Sequence, residues 1–68
     1  MPEIDSSAIE RIDYAAERRQ LFVTFTGGRR YVYFDVPPGV YRHFLAAESR
    51  GRYFNIHIRD RYDFRELA

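Results

Sequence analysis

The segment Gln20-Leu21-Phe22-Val23-Thr24-Phe25-Thr26-Gly27-Gly28, followed by Arg29-Arg30-Tyr31-Val32-Tyr33-Phe34, constrains the fold more than any other part of the chain. Leu21, Val23 and Phe25 alternate with their neighbours, the period of a half-buried strand rich in β-branched and aromatic residues. Gly27-Gly28 supplies the backbone freedom of a tight reversal, so residues 29–36 return as an antiparallel partner. Two loop lengths satisfy this pattern. A two-residue loop pairs Val23 with Val32 and Leu21 with Phe34, and stands Tyr31 and Tyr33 on the opposite side with Phe22. A three-residue loop, Thr26-Gly27-Gly28 with Gly28 left-handed in a bulge, pairs Val23 with Tyr31 and Leu21 with Tyr33, and turns both tyrosines to the core. One residue of slip exchanges the two faces.

Around this hairpin the remaining elements fall into order. Ile12 and Tyr14 share one face of a short first strand, and Ile9 is out of phase with them, the mark of a bulge. Pro37-Pro38 ends the hairpin and suits a helix start. Val40, Tyr41, Phe44 and Leu45 recur at helical spacing, which predicts an amphipathic helix from residue 38 to 47 or 48, with Gly51 as its stop. Residues 52–62 fit either period: Phe54, Ile58 and Tyr62 as a helix, Phe54, Ile56 and Ile58 as a strand. Ser49 as a cap favours the helix. The expected fold is α+β: a three-stranded antiparallel meander, an amphipathic helix and a short, helical C-terminal segment. The expected organisation is a flexible segment over 1–7, a single domain over 8–62 and a tail over 63–68. Its core is Ile12, Leu21, Val23, Phe25, Val40, Phe44, Leu45, Phe54 and Ile58.

A chain of 68 residues buries only about 60 % of its unfolded surface, so each apolar position matters. With no cysteine, neither a disulfide nor a thiolate zinc site contributes; six Tyr and six Phe supply the core volume instead. The net charge of +1 conceals an uneven distribution. Residues 1–17 hold five acids against Arg11, a balance of −4, and residues 18–68 hold ten Arg against five acids, a balance of +5. Every basic residue is Arg, whose planar, permanently charged fork suits phosphate and stacks on aromatic rings.

The order Ser6-Ser7-Ala8-Ile9, Leu21-x-Val23-x-Phe25, Tyr31-x-Tyr33, Val36-Pro37, Val40-Tyr41 and Gly51-Arg52-Tyr53-Phe54-Asn55-x-x-Ile58-Arg59 resembles the KTSC domain over residues 6–62. The chain departs from the family pattern at Asp13, often Gly there, at Arg50, often Lys, and at Asp63, where Pro commonly follows an Arg-Tyr pair. The resemblance implies a small bacterial domain that also occurs at the C-terminal end of some lysyl-tRNA synthetases, and that company implies RNA as a partner.

Catalytic chemistry finds little support in the residues. His43 and His57 lack an evident nucleophile partner, Ser6, Ser7 and Ser49 suit turns or caps, and Gly27-Gly28 lies in a hairpin and not between a strand and a helix. The expectation is a non-catalytic binding module with no cofactor, no metal and no small-molecule substrate. Its candidate nucleic-acid-binding residues are Arg29, Arg30, Tyr31, Tyr33, Arg50, Arg52, Tyr53, Arg59 and Arg61, with Arg neutralising phosphate and Tyr stacking on unpaired bases. The competing reading is a protein-interaction module, through a sheet edge or a Tyr/Arg surface, with another protein or itself. No apolar run approaches the ~20 residues of a membrane span. Residues 1–5 are acidic where a signal peptide is basic, so the expected location is cytoplasmic.

Overall fold

The computed structural model describes residues 8–67; the segment 1–7, expected to be flexible, lies outside the described residues. Strands β1 (Ile9–Ala15), β2 (Gln20–Phe25), β3 (Arg30–Tyr33) and β4 (Phe64–Leu67) form one antiparallel sheet in sequence order. Helices α1 (Pro38–Ala46) and α2 (Arg50–His57) lie between β3 and β4 in the chain and pack against one face of the sheet. The α+β class and the meander are as expected, with one strand more. Phe64–Leu67, within the segment 63–68 read from sequence as a tail, supply it: Phe64 faces Tyr33, Arg65 faces Val32 and Glu66 faces Tyr31. Four residues with two adjacent charges are too short to show a strand period, and cross-strand pairing with β3 decides the matter.

The hairpin takes the three-residue loop, with Val23 opposite Tyr31 and Leu21 opposite Tyr33. Gly27 and Gly28 have φ of 97 and 91, a region costly for any residue with a Cβ. The Gly28 N–H donates to the Phe25 carbonyl at 3.0 Å, and the Phe25 N–H to the Arg29 carbonyl at 2.8 Å. The expected bulge in β1 is present between Ile9 and Arg11, and it lets Ile9 face Phe25 while Arg11 faces Thr24. Ile9, Ile12 and Tyr14 thereby all pack against the core.

Leu21, Val23, Tyr33, Val36, Phe44, Phe54 and Ile58 form that core. Ile12, Phe25 and Val40 are partly buried against it, whereas Leu45, expected inside, is 37 % exposed. A nine-residue helix over a narrow sheet buries one stripe. Phe44 is its centre, and Leu45 stands about 100° round the helix from it. Gly51 also departs from expectation. It is buried in the first turn of α2 and stops nothing. Instead α1 ends where Ala47 becomes extended, and the Arg50 guanidinium donates to the Leu45 carbonyl at 3.2 Å, satisfying one of the acceptors that a helix end leaves open. Ser49 caps α2 as expected, its hydroxyl accepting from the Arg52 N–H at 3.2 Å. One long-range polar tie closes the layers: the Tyr14 hydroxyl donates to the Val36 carbonyl at 2.6 Å while its ring stacks on Tyr41 at 4.8 Å.

Truncating a fully buried side chain loses its burial and leaves a cavity. Leu21→Ala and Phe44→Ala are therefore expected to cost ~2–5 kcal/mol each, whereas Leu45→Ala stays within about 0.5 kcal/mol of the parent. Urea melts of the three variants check this, and parent-like midpoints for Leu21→Ala and Phe44→Ala contradict the assigned core.

Candidate nucleic-acid interface

Cross-strand partners share a face, so the register sorts the expected site residues. On the helix-covered face lie Ile12, Val23, Tyr31 and Glu66 in one row, and Tyr14, Leu21, Tyr33 and Phe64 in the next. Tyr33 is 3 % exposed, its ring edge-on to Phe54 at 5.6 Å, and it presents no surface to a base. This corrects its expected role as a stacking platform: the loop length turns it inward. Tyr31 is half-buried between Phe25, 5.6 Å away, and Phe64, 5.9 Å away. Arg29 is also engaged. Its Nε and Nη2 donate to the two carboxylate oxygens of Glu66, each at 3.0 Å, and its guanidinium carbon lies 6.0 Å from the Tyr31 ring centroid. Hydrogen bonding from Arg29 holds the Glu66 carboxyl below its ordinary range, with Tyr31 assisting. The pair is exposed and clips the hairpin loop to β4, so ionic strength weakens it.

A second group sits on α2 and the turn after it. Arg50 and Arg52 are exposed, Arg50 bound to the end of α1 and Arg52 at the first turn of α2. Tyr53 is half-buried, stacked on Phe44 at 5.7 Å and tilted against His57 at 4.5 Å. Burial raises its phenol pKa, with nearby Tyr62 adding to the rise. The Arg59 Nε donates to Asp60 at 3.3 Å and its Nη1 to Asn55 at 3.3 Å. Arg61 is exposed and forms no ion pair among the described residues.

Arg30 belongs to neither group. It lies on the outer face of the sheet, where no described helix packs, in a row Arg11, Thr24, Arg30 and Leu67. The adjoining row is Asp13, Phe22, Val32 and Arg65. Arg30 and Arg65 are exposed and unpaired among the described residues, whereas Arg11 is bridged to Asp13 at 2.9 Å. Val32 is 5 % exposed yet outside the core cluster, and its cross-strand neighbour Phe22 is partly buried. The candidates read from sequence include neither Phe22 nor Arg65 of this face. Phe22 alternates with the core residues of β2 and marks the outer face once the register is known, but Arg65 becomes visible only through β4.

Among the described residues no group of three or more His, Asp and Glu is placed to hold a metal ion, and no helix is long and apolar enough to cross a membrane. The geometry is that of a two-layer α+β domain with helices on one sheet face and arginines on the other. The chain belongs to the KTSC domain family, whose model matches residues 5–62. It is similar to a protein of Tsukamurella paurometabola, 44 % identical over 62 residues that make up 91 % of this chain and 92 % of that one. It is also 33 % identical over 64 residues to a lysine–tRNA ligase of Nostoc punctiforme, covering 94 % of this chain but only 11 % of that protein. The crystal structure of a KTSC domain protein from Yersinia pestis superposes with a TM-score of 0.87 at 31 % identity, covering 98 % of this chain and 94 % of that one.

The inward setting of Tyr33 has a pH signature. Burial pushes its phenol pKa well up, with smaller contributions from Tyr31 and Asp60, so the folded chain keeps a proton that the unfolded chain releases above about pH 10. The Tyr33 contribution is thus fully present below that pH and is lost as pH rises toward the folded value. Urea stability is expected to fall above about pH 10, with part of the phenolate absorbance appearing only on unfolding. Ionisation of all six tyrosines in the folded protein at their ordinary pH contradicts a buried Tyr33.

Proposed function

We propose that this KTSC domain is a non-catalytic RNA-binding module that lays a single strand across the outer face of its sheet. The observation that carries this reading is the juxtaposition of Arg30, Arg65 and Phe22 on a sheet face that no described helix covers. Guanidinium groups with no carboxylate partner among the described residues are available to phosphate oxygens, and the partly exposed Phe22 ring on the adjoining strand β2 offers a π-face to an unpaired base. Arg29 and Arg59 are left out of the contact set because carboxylates already hold them. The similarity to a segment of a lysine–tRNA ligase adds support, since the name of that protein puts it in the presence of tRNA.

The competing interaction through a sheet edge has less in its favour. The β1 edge carries the bulge and the charged Arg11–Asp13 pair. Antiparallel self-pairing of β4 centred on Arg65 sets Arg65 against its own copy, and centring on Glu66 does the same for Glu66, so either arrangement opposes like charges.

Few phosphate contacts and a small net charge make the binding weak and salt-sensitive. Each phosphate neutralised on a single strand contributes about −0.7 to the slope of log K against log salt. Arg30→Gln and Arg65→Gln are each expected to flatten that slope by about this amount, whatever the RNA sequence. Phe22→Leu, which keeps an apolar side chain but removes the π-face, is expected to cost ~1–3 kcal/mol of binding. Amide shift titrations with single-stranded RNA at several salt concentrations measure all three effects. Unshifted outer-face amides at low salt reject the reading; salt-insensitive self-association by sedimentation points to the protein-interaction alternative.

A further inference from the structure

On the opposite side of the molecule, a cleft of about 340 Å³ opens between α1, α2 and the turn that follows α2, lined by Val40, Tyr53, His57, Arg61 and Tyr62. Its size lies at the small-ligand end of binding pockets, and its lining combines apolar ring faces with a few convergent polar groups. The rings are set before any ligand arrives. Tyr53 is backed by Phe44 at 5.7 Å and touches His57 at 4.5 Å, and Tyr53 and Tyr62 both pack against the core. Platforms that are already ordered lose little freedom when something stacks on them.

The charge at the mouth is set as well. Arg61 has its backbone fixed by an N–H bond to the Ile58 carbonyl at 3.1 Å, but its guanidinium has no ion pair among the described residues. The adjacent carboxylate, Asp60, is drawn to Arg59 at 3.3 Å. Asp35, Asp60 and Asp63 line the neighbouring depression on the other side of Arg61 and Tyr62, so an anion is favoured only on the His57 side. A ligand for this cleft therefore has a planar, stackable part and one negative group within a side chain's reach of it. A nucleotide has both.

We propose that the cleft lined by Tyr53, His57, Arg61 and Tyr62 binds one unpaired nucleotide, with its base against the tyrosine rings and its phosphate on Arg61. This site is separate from the outer sheet face and stands or falls without it. The nucleotide arrives either free or as a residue of an RNA strand, and the chemistry of the cleft is the same for both.

The test is an amide shift titration of the intact chain with adenosine, adenosine 5′-monophosphate and a short single-stranded oligoadenylate, repeated on Arg61→Gln. The monophosphate, the oligonucleotide or both are expected to shift the Tyr53, His57, Arg61 and Tyr62 amides. Arg61→Gln, an exposed turn position that leaves the rest of the spectrum unchanged, is expected to weaken that binding roughly tenfold, the loss of a charge-assisted hydrogen bond. Adenosine, lacking the phosphate, is expected to bind weakly and equally to both proteins. Shifts with the monophosphate identify a site for free nucleotide, and shifts with the oligonucleotide alone identify a site for a strand. Cleft amides that stay still with every probe, or equal affinities for the monophosphate or oligonucleotide in parent and Arg61→Gln, overturn the proposal. An oligonucleotide that moves only the Phe22, Arg30 and Arg65 amides overturns it too, while leaving the outer-face reading intact.

Discussion

The reversal at Thr26-Gly27-Gly28, with both glycines at positive φ, sets Val23 opposite Tyr31, and every facing in the sheet follows from that pairing. Side chains alternate across a strand, so the loop length decides as one unit which half of β3 enters the core. Three loop residues send Tyr33 onto Phe54 and leave Arg30 and Val32 outside. β4 then pairs with β3, which carries the same choice one strand further and brings Arg65 to the outer face and Phe64 to the helical one. The bulge in β1 makes a matching adjustment at the other edge, keeping Ile9 on the core side of the sheet.

Much of this was legible in the residues. Leu21, Val23, Phe44, Phe54 and Ile58 announce a core by period alone, because a small domain has few other places to put large apolar side chains. Ser49 and Pro38 mark helix starts through the chemistry of their own backbone neighbourhood, which is local and therefore readable. What escaped is non-local. Whether Tyr33 faces in or out depends on one loop residue, Leu45 is exposed because nothing described reaches round α1 to cover it, and β4 exists only by virtue of β3. The site residues share this limit. Arg29 and Arg59 look available in sequence, and carboxylates 37 positions and one position away, respectively, engage them in space.

The two faces consequently hold different chemistry. The helical face spends its aromatic rings on packing: Tyr14 on Tyr41, Tyr33 and Phe25 on Phe54, and Tyr53 on Phe44. Such rings hold the small domain together, and those of Tyr53 and Tyr62 also line the cleft beside α1 and α2. The outer face sets partly exposed Phe22 and buried Val32 in a row between Asp13 and Arg65, with Arg30 in the adjoining row. An excess of positive charge after residue 17 is thus shared between separate surfaces, which limits how strongly either one attracts a polyanion.

The facing of β3 is the claim on which both surfaces rest, and proton–proton contacts in solution report it directly. The three-residue loop predicts cross-strand α-proton contacts between Phe22 and Val32, together with contacts between the Tyr33 and Phe54 rings, whose centroids are 5.6 Å apart. Contacts pairing Val23 with Val32 and Leu21 with Phe34, with Tyr33 distant from Phe54, would mean the two-residue loop and would invert both faces.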